Sequence, residues 1–288
     1  MKLLRCPRCG GRLSLAAPLA RCAACGPYPL LADVPVLLAD PAGYCSAFRE
    51  SILATLAEVE AADRSTLTVV DAFAEGHDAE PRRFGDDWTR HEALGDDAPT
   101  PVRGPAAKAL TGLKRLTTRA GPAAWLAEHL GKARVALELG CGAGALSEVL
   151  ASRVEHLVIA DLSLRAVLRA RARASRYRAE VTGAVMDAQA LAVQPRAIDL
   201  LVAEHVVDLL DAPADFFAAA KASLRRGGRL LVTTPEPALG SGDDGRALEL
   251  AREAGFRLVE RQDGLPWLRV NSERFVEVYL VQALELRA

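Results

Sequence analysis

Arg134-Val135-Ala136-Leu137-Glu138-Leu139-Gly140-Cys141-Gly142-Ala143-Gly144-Ala145-Leu146-Ser147-Glu148-Val149-Leu150 decides the fold. An apolar strand runs into three closely spaced glycines and then into a helical pattern. Glycines in that place allow a tight turn, let a ligand touch the backbone, and open a helix whose first amides can receive it. Downstream the pattern repeats. Leu157-Val158-Ile159-Ala160 ends at Asp161-Leu162-Ser163 before a helix, and Val185-Met186-Asp187-Ala188 ends a further strand. Ile198 to His205 and Leu224 to Thr234 add two more, and Gly255 to Glu260 with Phe275 to Leu284 read as a closing pair. Strands alternating with helices predict an α/β fold with a doubly wound, mostly parallel sheet.

With Ala145 in the last slot, the glycine segment satisfies the G-x-G-x-x-G/A dinucleotide fingerprint, so an NAD-dependent oxidoreductase stays open on this motif alone. Glu138, two residues before Gly140, points elsewhere. A carboxylate there repels a pyrophosphate but favours the ammonium and sulfonium of S-adenosylmethionine. Asp161 can take a ribose diol through two hydrogen bonds, which either cofactor offers. Asp187 can accept from an adenine amino group while Met186 or Ala188 packs on the ring. Taken together, Glu138-x-Gly140-x-Gly142-x-Gly144, Asp161-Leu162-Ser163, Asp187-Ala188 and Ile198 to His205 resemble the class I S-adenosylmethionine-dependent methyltransferases over residues 120 to 288. The resemblance implies a seven-stranded sheet. It makes Glu138, Gly140, Cys141, Gly142, Ala143, Gly144, Asp161, Leu162, Met186, Asp187, Ala188 and Glu204 the expected cofactor residues, with the strand ending at Glu204 facing the departing methyl. His205, next in the chain, is the candidate base for methyl transfer, or else a residue that packs on the cofactor or holds its loop.

Six cysteines are distributed unevenly: Cys6 and Cys9 form one C-x-x-C pair, Cys22 and Cys25 a second, and Cys45 and Cys141 stand alone. Two such knuckles supply four thiolates in a tetrahedron, the arrangement of a closed structural zinc site, and a module this short needs its metal to fold. A redox pair or two disulfides are the competing readings. The cysteines, with Tyr28-Pro29 and Pro35-Val36-Leu37-Leu38, resemble the zinc-ribbon proteins that activate tRNA, ribosomal RNA and release-factor methyltransferases. Asp33 stands at a turn where that family usually has glycine, and aspartate tolerates left-handed geometry better than most residues.

Between these parts, Tyr44 to Ala62 predicts a single helix with Phe48, Ile52, Leu56 and Val59 as its apolar stripe. Gly76 to Pro105 has no period and contains the island Phe84 to Trp88 together with His91; it reads as a loop or flap. Pro105 to Gly131 predicts a helix broken at Gly121-Pro122, with Trp125, Leu126 and Leu130 on its apolar side. The expected organisation is a zinc ribbon over 1–42, a helical linker and lid over 43–120, and a cofactor-binding domain over 121–288.

Lys and Arg number 36 against 37 Asp and Glu, a net charge of −1, so the whole chain carries no bias toward nucleic acid. Arg165, Arg169, Arg173 and Arg176 on one helix face could still form a local stripe for RNA phosphates, or a solvated face. The zinc ribbon before a methyltransferase domain also resembles bacterial ribosomal RNA guanine methyltransferases, whereas a ribbon and lid roofing a pocket would suit a small-molecule acceptor. A non-catalytic partner-binding protein is the reading outside enzymes. No signal-peptide pattern or long apolar run is present, and the expectation is a soluble, cytoplasmic protein.

Overall fold

The computed structural model describes residues 2–77, 105–235, 245–272 and 275–288. The island Phe84 to Trp88 and His91, expected in a flap, lie outside the described residues. In chain order the strands are β1 (Leu13–Ala16), β2 (Leu19–Cys22), β3 (Gly26–Leu31), β4 (Val34–Leu37), β5 (Val135–Leu139), β6 (His156–Asp161), β7 (Glu180–Met186), β8 (Ile198–Glu204), β9 (Leu224–Thr234), β10 (Arg257–Ser272) and β11 (Phe275–Arg287). The helices are α1 (Pro41–Ala47), α2 (Arg49–Glu58), α3 (Arg64–Ala74), α4 (Pro105–Ala120), α5 (Pro122–His129), α6 (Ala145–Ala151), α7 (Leu164–Ala174), α8 (Pro213–Ser223) and α9 (Arg246–Glu253).

The seven strands read from the sequence are present, but they belong to one sheet of 11 strands, ordered β1-β2-β3-β4-β7-β6-β5-β8-β9-β11-β10. Both "seven-stranded" and "mostly parallel" therefore need correction. The reason is β4. Its four residues are all buried, and it lies parallel to β7 with Val36 opposite Val185 and Leu37 opposite Met186. This covers what would be an open sheet edge and brings the antiparallel β1–β4 ribbon into the main sheet. With β9, β11 and β10 antiparallel at the far end, parallel pairings are confined to the stretch from β4 to β9.

Side chains alternate across the sheet, and the two faces carry separate cores. One packs Leu137, Leu139, Val158, Leu201 and Val232 against Phe216 and Phe217 of α8 and Leu248 of α9. The other packs Ala136, Ile159, Val202 and Leu231 against Ile52 and Leu56 of α2, Trp125 and Leu126 of α5, and Val167 of α7. Each large apolar side chain buried in these layers stabilises the fold by about 1.5–3 kcal/mol, so the strand ends between them are firmly held.

Helix boundaries follow local chemistry. The single helix expected over Tyr44 to Ala62 is two, α1 and α2, because the chain leaves helical geometry at Phe48 (φ −112°, ψ 17°). Asp40 caps α1 by accepting from the Gly43 amide at 2.9 Å. Asp63 caps α3 through the amides of Ser65 and Thr66 at 2.8 and 2.9 Å. Of the expected stripe, Ile52 and Leu56 are buried while Val59 is exposed. The break at Gly121-Pro122 is where the sequence placed it, with Pro122 opening α5.

Between β3 and β4 the turn residues Ala32 and Asp33 both have positive φ, 48° and 63°, the left-handed pair that suits a two-residue hairpin. Asp33 tolerates this geometry and Ala32 does so poorly. Ala32→Gly is expected to raise unfolding stability by about 1 kcal/mol, read as a higher midpoint in urea or thermal unfolding.

Candidate cofactor and metal sites

The sheet reverses its winding between β5 and β8, and the carboxyl ends of the strands around this point form the crevice in which ligands of such sheets sit. Leu139 pairs with Ala160 on β6 and with Ala203 on β8. That register, with the two-residue side-chain period, sets Glu138, Asp161 and Glu204 on the same face at the ends of three adjacent strands. Thr233, opposite Glu204 on β9, extends the row.

The glycine turn closes this end of β5. The Gly140 amide donates to Ala160 O at 2.9 Å, and the Gly144 amide donates to Cys141 O at 2.9 Å. Gly144 has φ 83°, and a Cβ there would stand 2.5 Å from Ala170 Cα. No other residue lets α6 and α7 approach so closely at this backbone angle. Arg173 on α7 donates to Ala143 O at 3.1 Å and pairs with Glu148 at 2.7 Å, bracing the turn from outside. Asp161 accepts from the Gly142 amide at 3.1 Å and from the Ser163 amide at 2.9 Å. Its carboxylate is aimed by the turn.

Glu138 is 2% exposed and accepts from Ser147 Oγ at 2.5 Å. Burial pushes its carboxyl up to about 8, against the pull of the Ser147 hydrogen bond and with the added repulsion of Glu204 and Asp161. Ser147 escaped the sequence reading; its only signal is a hydroxyl on the first turn of the helix that folds back over β5. After β7, Asp187 accepts from the Gln189 amide at 2.8 Å, and Ala188 is half-buried. Met186, the other expected ring contact, is 2% exposed within the core on the opposite face of the sheet, which leaves Ala188 as the better placed of the two. Leu162, beside Asp161, is exposed. Cys141 is buried, with its thiol pushed well up by burial.

His205 follows Glu204 in left-handed backbone, φ 52°. Its ring stacks on Trp267 of β10, centroids 4.3 Å apart, and Trp267 in turn lies 5.2 Å from Tyr279 of β11. Among the described residues neither ring nitrogen of His205 has a hydrogen-bond partner, and the same holds for Thr233 Oγ1. Burial lowers the imidazole to about 4. Trp267 and Tyr279 were not read from the sequence, because nothing local links them to His205; the pairing of β9 with β11 brings the terminal hairpin alongside.

At the other end of the chain, the ligand atoms of Cys6, Cys9, Cys22 and Cys25 lie within 4.8 Å of one another. All four thiols are free, with Cys9 and Cys22 sulfurs 3.5 Å apart. Zn–S bonds of about 2.3 Å in a tetrahedron separate sulfurs by roughly 3.8 Å, so the four fit one ion. Cys6 and Cys22 share a buried cluster with Leu137 and Leu139 on the face opposite the carboxylate row, while Leu31, Val34 and Val36 of the ribbon pack into the core on the other face. The expected arginine stripe is also altered. Arg165 pairs with Glu58 at 2.9 Å and Arg173 with Glu148, leaving Arg169 and Arg176 exposed.

Residues 137–232 match the family model described as a methyltransferase domain. No curated protein matches. Among solved structures, the N-methyltransferase NodS from Bradyrhizobium japonicum, in complex with S-adenosyl-L-homocysteine, is 22% identical, with TM-score 0.48 over 70% of this chain and 96% of that one. An S-adenosylmethionine-dependent methyltransferase from Mesorhizobium loti is 16% identical, with TM-score 0.44 over 58% of this chain and 99% of that one. The methyltransferase-domain match spans β5 to β9, the strands that carry the glycine turn and the row of acids. Among the described residues, no helix is long and apolar enough to cross a membrane.

Two buried groups set opposite pH dependences. Glu138, raised from 4.5 to about 8, contributes stability that is full below pH 4.5 and is lost as pH rises through 8. His205, lowered from 6.5 to about 4, contributes stability that is full above pH 6.5 and is lost as pH falls toward 4. Urea unfolding is expected to show a decline in stability from pH 6.5 to 8.5. Glu138→Gln should remove that decline and steepen the rise between pH 4.5 and 6.5, where the two groups otherwise offset each other.

Proposed function

We propose that the chain methylates a small-molecule acceptor, using S-adenosylmethionine bound across the ends of β5, β6 and β7, and that a structural zinc holds its N-terminal ribbon. The observation that carries this reading is the row Glu138, Asp161 and Glu204 on one face of three adjacent strand ends. Asp161 and Glu204 beside the turn repel a pyrophosphate, which disfavours an NAD-dependent oxidoreductase, and Glu138, which ionises when a cation arrives, suits a ligand with positive centres. A non-catalytic scaffold has no use for a buried Glu138 that burial penalises when charged.

S-adenosylmethionine, when bound, supplies a methyl group on a sulfonium, open to in-line displacement by the acceptor. The residues of this chain then bind and align. Glu138 faces the ammonium of the methionine end, reached over the backbone of Gly140, Cys141, Gly142, Ala143 and Gly144. Asp161 accepts from the ribose hydroxyls. Asp187 accepts from the adenine amino group, with Leu162 and Ala188 on either side of the ring. Glu204 and His205 flank the transferring methyl. An imidazole lowered to about 4 is neutral at pH 7, so His205 orients an acceptor O–H or N–H as a hydrogen-bond acceptor, and the proton passes on to water.

A small-molecule acceptor is supported over RNA by the ion pairs of Arg165 and Arg173, which remove half of the expected stripe, and by the aromatic enclosure of His205 by Trp267 and Tyr279. Cys6, Cys9, Cys22 and Cys25 close the zinc's coordination, which leaves no position for chemistry. In this reading residues 1–42 are the ribbon, 43–120 a helical connection, and 121–288 the methyl-transfer domain.

Titration calorimetry tests the reading. S-adenosylmethionine is expected to bind, NAD is not, and Asp161→Ala should weaken binding by about tenfold or more through loss of charge-assisted hydrogen bonds. NAD binding in place of S-adenosylmethionine would sink it. A cationic ligand stabilises the ionised carboxylate, so binding at pH 7 should release a proton from Glu138 and tighten as pH rises toward 8. Buffers of different ionisation enthalpy measure that release, and Glu138→Gln should abolish it. Trp267→Ala is expected to leave cofactor affinity unchanged.

A further inference from the structure

The loop after β7 carries Asp187 and Ala188, and both arms of the cysteine cluster are fastened to it. On the first arm, the Arg5 amide donates to Ala192 O at 2.8 Å and the Gln194 amide donates to Leu3 O at 2.7 Å. Leu4 forms an antiparallel bridge with Val193, and the Arg5 guanidinium reaches the Gln194 side chain. Cys6 is the next residue. The second arm starts from Cys22 at the end of β2 and Cys25 just before β3, and runs through the hairpin to β4. There Val36 and Leu37 pair with Val185 and Met186, the last two residues before Asp187. Leu4, Cys6, Tyr28, Leu37, Met186 and Val193 share one buried cluster, against which Ala188 packs.

We infer that the four-cysteine site is a clasp that positions the adenosine end of the cofactor: a zinc ion joining the two arms holds residues 187–194 between them, and metal occupancy sets cofactor affinity. The inference rests on the zinc and cofactor readings above. Strands of four residues cannot hold the arms together by their own packing, so without metal they separate. The loop then keeps the bonds from the Gln189 amide to Asp187 at 2.8 Å, from the Ala190 amide to Asp187 O at 3.1 Å, and from the Ala212 amide to Gln189 Oε1 at 2.6 Å. Ordering the rest of it falls to the ligand, which weakens binding. Leu4, Arg5 and Gln194 are in this sense positioning residues, remote from the methyl group.

Coupling of this kind is reciprocal, which gives two readouts that need no acceptor and no turnover. S-adenosylhomocysteine is titrated into zinc-loaded protein and into protein stripped by a chelator, and zinc retention against a competing chelator is measured with and without S-adenosylhomocysteine. Stripping is expected to weaken S-adenosylhomocysteine binding by about tenfold, restored on adding zinc back, and S-adenosylhomocysteine should tighten zinc retention by the same factor. Equal affinity in loaded and stripped protein overturns the clasp while leaving the cofactor reading intact; no binding even to loaded protein overturns the cofactor reading and the clasp with it. If stripped protein unfolds, Leu4→Ala decides, since it loosens the first arm without touching a cysteine. It should keep one zinc per chain and bind S-adenosylhomocysteine several-fold more weakly, whereas Phe256→Ala, a core truncation beside Lys221 and Phe217, should not. Unchanged affinity in Leu4→Ala with full zinc overturns the inference.

Discussion

The hydrogen bond from Ser147 to Glu138 ties the central strand to the first helix after the glycine turn, and the site is arranged around it. A carboxyl in the interior of a parallel sheet is costly to ionise, and here it is tolerated because a hydroxyl answers it and because burial holds it protonated in the absence of a cation. Under the proposed function, that state lets the charge of Glu138 appear when a positive group arrives. The turn that permits the arrangement depends on the backbone of Gly144, where the close contact of α6 and α7 leaves no room for a side chain. Arg173 then fixes the turn from the far side through Ala143 and Glu148. The cofactor crevice is thus braced by side chains from α6 and α7, and those helices are seated by the core on the same face of the sheet.

The two ends of the chain act on that crevice from opposite flanks. The terminal hairpin brings Trp267 onto His205, with Tyr279 against Trp267, at the strand end where the methyl is expected to leave. The N-terminal ribbon meets the other flank, where β4 lies along β7 and the first residues bridge to the loop that follows it. Both appendages are attached by strand pairing, a mode that transmits position through main-chain hydrogen bonds with little freedom to shift.

A ribbon merged into the sheet also changes what its four cysteines hold together. An independent zinc ribbon stabilises only itself and presents a surface. Here Cys6 and Cys22 belong to the same extended buried cluster as Leu137 and Leu139 of the central strand β5. The arginines that suggested a phosphate-binding surface are used inward as well: Arg165 ties α7 to α2, and Arg171 donates to Ala32 O at 2.8 Å in the β3–β4 turn.

The sequence by itself determined the order of strands and helices from Val135 onward, the glycine turn, the acids at successive strand ends, and the four cysteines. Each of these is a local pattern, an apolar run, a break or a spacing, which short-range chemistry imposes on neighbouring residues. The interruptions at Phe48 and the sheet's full width were not legible. A four-residue strand such as Val34 to Leu37 carries no mark of which edge it will join, and that choice is made by the uncovered edge of β7. Met186 shows the same limit: in sequence it adjoins an adenine-facing acid, but the side-chain alternation of β7 turns it into the opposite core. The neighbours of His205 and of the Asp187 loop were likewise decided only by the tertiary structure, because Trp267, Tyr279 and Leu4 reach them through strand pairings distant in the chain, and no local pattern encodes a long-range register.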